Sequence, residues 1–82
     1  MIVAIDVSLY PLRDDYIAPI DDIIASFERA NDVEVIRHPL STELRGDYRR
    51  VMQVLTDAAE AALTASRPAV LVAKIVASDR IG

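Results

Sequence analysis

The order of two kinds of apolar pattern along the chain constrains its fold more than any other feature of the sequence. Residues 2–10 alternate apolar and polar side chains, which is the period of a strand with one buried face. The apolar face of this strand is formed by Ile5, Val7 and Leu9. Pro11 is expected to end the pairing of the strand, because proline has no N–H to donate.

Two later segments carry apolar residues at helical spacing instead. The first helix is predicted to begin after Asp14 and Asp15, whose carboxylates supply cap oxygens, and to end near residues 31–32. Its apolar face comprises Ile17, Ile20, Ile23, Ile24 and Phe27. The second helix is predicted to begin at its N-cap, Asp47, and to end at residues 67–68. Its apolar face comprises Tyr48, Val51, Met52, Leu55, Ala59, Ala62 and Leu63.

The remaining segments have the composition of strands. Residues 33–38 and 41–46 are predicted to form an antiparallel hairpin, and residues 69–76 a last, largely buried strand. The element order is therefore β-α-β-β-α-β. Because crossovers are right-handed, both helices should cover one face of a four-stranded antiparallel sheet. The predicted fold is a single α+β domain over residues 1–82, a ferredoxin-like sandwich.

Composition excludes several classes of function. The absence of Cys excludes disulfides, thiolate-bound zinc and thiol nucleophiles, and one His cannot form a His-rich metal site. A net charge of −4 with no basic stripe argues against nucleic-acid binding. We expect no signal peptide and no membrane span, since the N-terminal apolar run lacks a basic region and no stretch approaches about 18 apolar residues. A cytoplasmic protein without metal is the expectation.

The architecture leaves one sheet face without helices. Ile2, Ala4, Asp6 and Ser8 should lie on this face, whereas the sequence leaves open whether Lys74 shares a face with its valine neighbours. A face carrying so many apolar side chains should be covered by a second sheet. The simplest arrangement is a two-fold dimer, so we expect a homodimer or a homotetramer.

Signals for catalysis are weak in the residues themselves. His38 precedes a proline in the predicted hairpin turn and is either a general base or, more simply, a solvated turn residue. The acidic pairs at 14–15 and 21–22 suit helix starts better than paired-carboxylate chemistry, since consecutive helical residues do not face each other. Arg45 with residues 49–50 could hold an anion or form a solvated helix flank. Asp6 interrupts an apolar strand, which fits a ligand or interface role as well as a structural one.

Two segments resemble a known family. SLYPLRDDYI, residues 8–17, and LSTELRGDYRRVM, residues 40–52, look like the paired signatures of the YkoF-like thiamine/hydroxymethylpyrimidine-binding family. The family fold is ferredoxin-like, and its chains carry two units whose open sheet faces pack together, an arrangement that a homodimer of this one-unit chain would rebuild. The resemblance implies pocket positions at Ser8, Tyr10, Ser41 and Thr42. Asp6 is added to this set from its position alone.

The predicted function is therefore binding without catalysis. The ligand would be thiamine or its hydroxymethylpyrimidine moiety, held by hydroxyls that can donate or accept, with no further cofactor and no nucleic-acid or membrane partner. Two alternatives remain open from the sequence. One is a structural or regulatory oligomeric domain without ligand, and the other is a small dimeric ferredoxin-like enzyme with His38 or Asp6 as its base.

Overall fold

The computed structural model describes residues 1–77 and has the predicted β-α-β-β-α-β order. The elements are β1 (Ile2–Pro11), α1 (Ile17–Glu28), β2 (Glu34–Arg37), β3 (Thr42–Asp47), α2 (Tyr48–Ala65) and β4 (Ala69–Val76). The four strands form one antiparallel sheet in the order β2-β3-β1-β4. The ferredoxin-like sandwich is thus confirmed, and the last five residues of the predicted domain lie outside the described part.

The central strand β1 is longer than its neighbour β3. It pairs with β3 only from Ile2 to Val7, whereas its pairing with β4 runs from Ala4 to Pro11. The last residues of β1 therefore have a strand on one side only. The strand ends at Pro11, but the predicted end of the pairing there is wrong, since Pro11 lies opposite Ala69 of β4 and the N–H of Leu12 still donates to the carbonyl of Pro68.

The core lies between the helices and one face of the sheet. The odd-numbered residues of β1 from Val3 to Leu9 point to this side and are 0–8% exposed, which confirms the predicted apolar face of the first strand. The largest fully buried side chains are those of Phe27, Ile5, Leu44, Val3 and Val51.

Helix α1 differs from the prediction at both ends. Its N-cap is Tyr16, and no side chain forms a hydrogen bond that caps the helix. The carboxylate of Asp15 instead lies 3.5 Å from a guanidinium nitrogen of Arg13. Its buried residues are Pro19, Ile23 and Phe27, each four positions apart, so Ile17 lies about 200° around the helix from Pro19 and is 61% exposed. The expected packing of Ile17 is therefore wrong. The helix ends at Glu28, earlier than predicted.

Helix α2 begins behind Asp47 as predicted, but the carboxylate makes no cap hydrogen bond. The first helical N–H, that of Tyr48, donates instead to the carbonyl of Met1 at 2.9 Å. The fully buried face is formed by Val51, Val54, Leu55 and Ala58. Tyr48, expected on this face, is 36% exposed.

Strand β4 has the predicted bounds but not the predicted burial. Val70, Val72 and Val76 are 40–47% exposed, because β4 is an edge strand and its even-numbered residues point away from the helices. Lys74 shares their face, which settles the question that the sequence left open. We call this helix-free side of the sheet the open face, and its residues on β1 and β4 are Ile2, Ala4, Asp6, Ser8, Tyr10, Val70, Val72, Lys74 and Val76.

Candidate functional site

A cleft of about 390 Å³ opens where β1 runs past the end of β3. We call it the hairpin cleft. One wall is the end of β1, the second is the buried side of α1, and the third is the turn of the β2–β3 hairpin. Its lining comprises Val7, Ser8, Leu9, Tyr10, Ile20, Ile23, Ile24, Phe27 and the segment 37–42.

The pairing register explains why the cleft presents main-chain groups. Leu12 N–H donates to the carbonyl of Pro68 at 2.8 Å, on the β4 side of the strand. Because the N–H and C=O of one residue point to the same side of an antiparallel strand and successive residues alternate between the two sides, the N–H and C=O of Leu9 point to the β3 side. The β1–β3 register ends at the pair Val7–Thr42, so no β3 residue lies opposite Leu9. A donor and an acceptor therefore stand side by side at the cleft.

Four of the five predicted site residues line this cleft. Thr42 is buried at 6% exposure, Ser41 is half-buried, and Tyr10 is exposed. The Ser8 hydroxyl donates to the carbonyl of Leu40 at 3.4 Å, across the gap between β1 and the hairpin turn. The structure thus brings together the two segments that carry the family resemblance.

Asp6, the fifth predicted residue, does not line the cleft. It lies on the open face, opposite Glu43 on β3 and opposite Lys74 on β4. Glu43 forms an ion pair with Arg45 and a hydrogen bond with His38, whose Nε2 is 2.9 Å from Oε1 of Glu43. Hydrogen bonds from His38 and then Arg45 hold the pKa of Glu43 below its ordinary value. Charged side chains, including Asp6, Glu43 and Lys74, therefore lie at the centre of the open face, and apolar side chains surround them.

Sequence reasoning missed part of the site. His38 is exposed, as predicted for a turn residue, but it also lines the cleft and bonds to Glu43. Arg37 also lines the cleft, on the helix side of β2. The sequence signal for this position was that Arg37 follows the apolar Val35 by two residues, so that both side chains lie on the same face of a strand. Arg45 and Arg50, for which the sequence left open an anion site or a solvated helix flank, are each paired with a carboxylate, Arg45 with Glu43 and Arg50 with Asp32 at 2.7 Å.

The hairpin cleft combines apolar walls with polar groups at its edge. Apolar side chains of α1 form one wall, and hydroxyls and the main-chain N–H and C=O of Leu9 that β3 does not pair lie at its edge, which suits a ring with polar edge atoms. His38 is bonded to Glu43 and not to a hydroxyl, so the described residues show no activated nucleophile here. Within residues 1–77, no three His, Cys, Asp or Glu side chains are grouped to hold a metal ion. No helix in that range is long and apolar enough to cross a bilayer.

The fold and the cleft define a small ferredoxin-like unit with room for one small molecule. A sequence model of the YkoF-related family matches residues 2–77, and the chain belongs to this family. Among curated proteins none matches the chain.

Solved structures share the fold over nearly the whole chain. A Streptococcus pneumoniae protein is 27% identical, with a TM-score of 0.85 over 96% of this chain and 89% of its own. A candidate thiamine biosynthesis or salvage protein of Thermotoga maritima is 18% identical, with a TM-score of 0.85 over 95% of this chain and 85% of its own. A domain of unknown function from Bacillus cereus is 19% identical, with a TM-score of 0.80 over 100% of this chain and 81% of its own.

Proposed function

We propose that this protein is a non-enzymatic binding protein for thiamine or its hydroxymethylpyrimidine moiety, with the pyrimidine ring in the hairpin cleft. Membership of the YkoF-related family supports a ligand of this class, as does the fold shared with the Thermotoga maritima candidate thiamine protein. The observation that carries the proposal is the cleft itself, where the two signature segments meet beside the N–H and C=O of Leu9, which β3 does not pair.

The dimensions and walls of the cleft suit a pyrimidine. Its volume of about 390 Å³ lies at the small end of the range found for ligand pockets, about 300–1,000 Å³. The apolar faces of the ring would pack against Ile20, Ile23 and Phe27 of α1. Burial of the faces leaves only the ring nitrogens and the exocyclic amine in need of polar partners.

The polar partners are those that an aminopyrimidine requires. Its amine would donate to the carbonyl of Leu9, and a ring nitrogen would accept from the Leu9 N–H or from the hydroxyl of Thr42 or Ser8. The cationic thiazolium of thiamine would extend toward the open side of the cleft. A protein of net charge −4 does not repel this cation.

Self-association is the second part of the proposal. The exposed valines of β4, with Ile2 and Tyr10 of β1, form an apolar surface on the open face. A second copy of the chain placed over this surface would exclude water from it, giving a homodimer or, with a further contact, a homotetramer. A structural domain without ligand shares this surface, so ligand binding must be tested directly.

Titration calorimetry with thiamine and with hydroxymethylpyrimidine tests the site. Thr42→Val keeps the shape of the side chain and removes its hydrogen-bonding oxygen. One hydrogen bond is worth about 0.5–1.5 kcal/mol, so the variant should bind about threefold to tenfold more weakly. Thr56→Val makes the same chemical change on the exposed side of α2 and should bind like the wild type.

Each outcome of this titration has a distinct meaning. Weaker binding by the Thr42→Val variant, with unchanged binding by the Thr56→Val variant, supports the hairpin cleft as the site. Equal binding by both variants and the wild type would place the pyrimidine elsewhere. A wild-type protein that binds neither ligand at millimolar concentration would reject the proposed function and favour a structural or regulatory domain.

A further inference from the structure

An ion pair joins α1 to β2 at the hairpin cleft. Arg37 is the last residue of β2 and lies opposite Thr42, so its side chain is on the helix side of the sheet and lines the cleft. Its Nη2 atom is 2.6 Å from Oε1 of Glu28, the last residue of α1. The guanidinium that a ligand would meet in this cleft is therefore already bound to a carboxylate.

The surroundings of Arg37 are acidic beyond this one contact. The pKa of Arg37 is raised by its hydrogen bond and charge interaction with Glu28, and further by the charge of Asp21 on the same helix. The other basic residue of the cleft lining, His38, is hydrogen-bonded to Glu43. Among residues 1–77, both basic side chains that line the cleft are thus engaged by carboxylates.

We propose that the Glu28–Arg37 ion pair makes the cleft select the unphosphorylated ligand over its phosphate monoester, with Glu28 as the specificity-determining residue. This inference rests on the proposed function and adds the charge state of the ligand to it. Glu28 makes no contact with the pyrimidine in this arrangement. It acts by neutralising the guanidinium that would otherwise attract an anion.

The charge of the monoester gives the physical reason. A phosphate monoester carries about −1.5 to −2 charge at pH 7 and is bound tightly by guanidinium groups that are free to form paired hydrogen bonds. Arg37 could bind it only by leaving Glu28, and the carboxylates of Glu28 and Asp21 would then repel the phosphate. Thiamine itself bears a cation and meets no such opposition.

The test compares the dissociation constants of thiamine and thiamine monophosphate by calorimetry at low and high salt. The wild type should bind thiamine more tightly. Glu28→Gln keeps a hydrogen-bond acceptor for Arg37 but removes the charge, so the affinity ratio should move toward the monophosphate by about twofold to fivefold. The shift should shrink at high salt, because the groups involved are partly exposed.

Two further variants make the result specific. Arg37→Gln leaves Glu28 without its partner and should move the ratio in the opposite direction, further toward thiamine. Glu60→Gln removes a carboxylate from the exposed side of α2, away from the cleft lining, and should leave the ratio unchanged. Circular dichroism of each variant checks that the fold is intact.

The selectivity is overturned if the wild type binds the monophosphate as tightly as thiamine, or if Glu28→Gln and Glu60→Gln give the same ratio. Either result leaves thiamine binding itself in place. A wild type that binds neither thiamine, hydroxymethylpyrimidine nor the monophosphate overturns the proposed function, and the selectivity with it.

Discussion

The substitution Val72→Lys tests whether the open face of the sheet is the surface through which the protein self-associates. Val72 lies on the edge strand β4, opposite Ser8 of the central strand, and is 40% exposed in the single chain. If a second copy covers the open face, this side chain becomes buried. A lysine there would place an ammonium in an apolar contact and oppose the association.

The size of the effect follows from the exposed fraction of Val72. Complete burial of a valine side chain is worth about 1.5–3 kcal/mol, so covering 40% of it contributes about 0.6–1.2 kcal/mol. Both copies in a two-fold dimer carry the substitution, so the lost free energy of association is about 1.2–2.4 kcal/mol per dimer. The dissociation constant of the dimer should therefore increase by about sevenfold to fiftyfold from lost apolar contact alone.

Sedimentation equilibrium over a range of micromolar concentrations measures this change. Thr56→Lys, on the exposed side of α2, introduces the same charge on the opposite side of the molecule and should associate like the wild type. The reasoning is refuted if Val72→Lys associates as strongly as Thr56→Lys. It is also refuted if the wild type has the monomer mass of 9.0 kDa at these concentrations.

The remaining predictions concern the core and the charged group on the open face. Leu55→Ala should lower the free energy of unfolding in urea by about 2–5 kcal/mol, since Leu55 is 7% exposed in the core, whereas Glu60→Ala should change it by less than about 0.5 kcal/mol; equal losses would contradict the assigned face of α2. The pKa of Glu43 is lower in the folded protein than in the unfolded chain, so its stabilising contribution is present above pH 4.5 and is lost as the pH falls below that value. The melting temperature of Glu43→Gln should therefore fall less than that of the wild type as the pH is lowered through this range, and parallel melting curves would refute the role of the His38 and Arg45 contacts.

The strands were more predictable from sequence than their burial. The last strand has the predicted bounds because an apolar run beginning directly after Pro68 admits few alternatives. Its exposure could not be predicted from the sequence. A continuous apolar run is typical of any strand with two apolar faces, and it does not indicate whether elements of the same chain cover both faces. The predicted N-terminal cap of α1 was wrong for another reason. Asp14 and Asp15 have suitable side chains, but the helix begins two residues after Asp15.

The candidate site was predictable where it depends on residue type. Hydroxyls in the two signature segments indicated the residues that line the cleft, with Thr42 and Ser8 among them. The position of Leu9 beyond the end of β3 and the Glu28–Arg37 pair could not be predicted, because the first depends on the register of two distant strands and the second on how α1 lies against β2. His38 could not be assigned a partner before the hairpin placed Glu43 beside it.

The outer edge of β4 has a consequence for the behaviour of the protein in concentrated solution. An edge strand presents main-chain donors and acceptors that a strand of another chain can extend, and β4 is an eight-residue, largely apolar edge. Lys74 is the only charged residue in this strand. A second β4 strand that added to this edge in parallel and in register would place its ammonium group next to that of Lys74, which discourages the open-ended growth that leads to fibrils. Lys74 is therefore the residue of β4 that opposes edge-to-edge association of two copies.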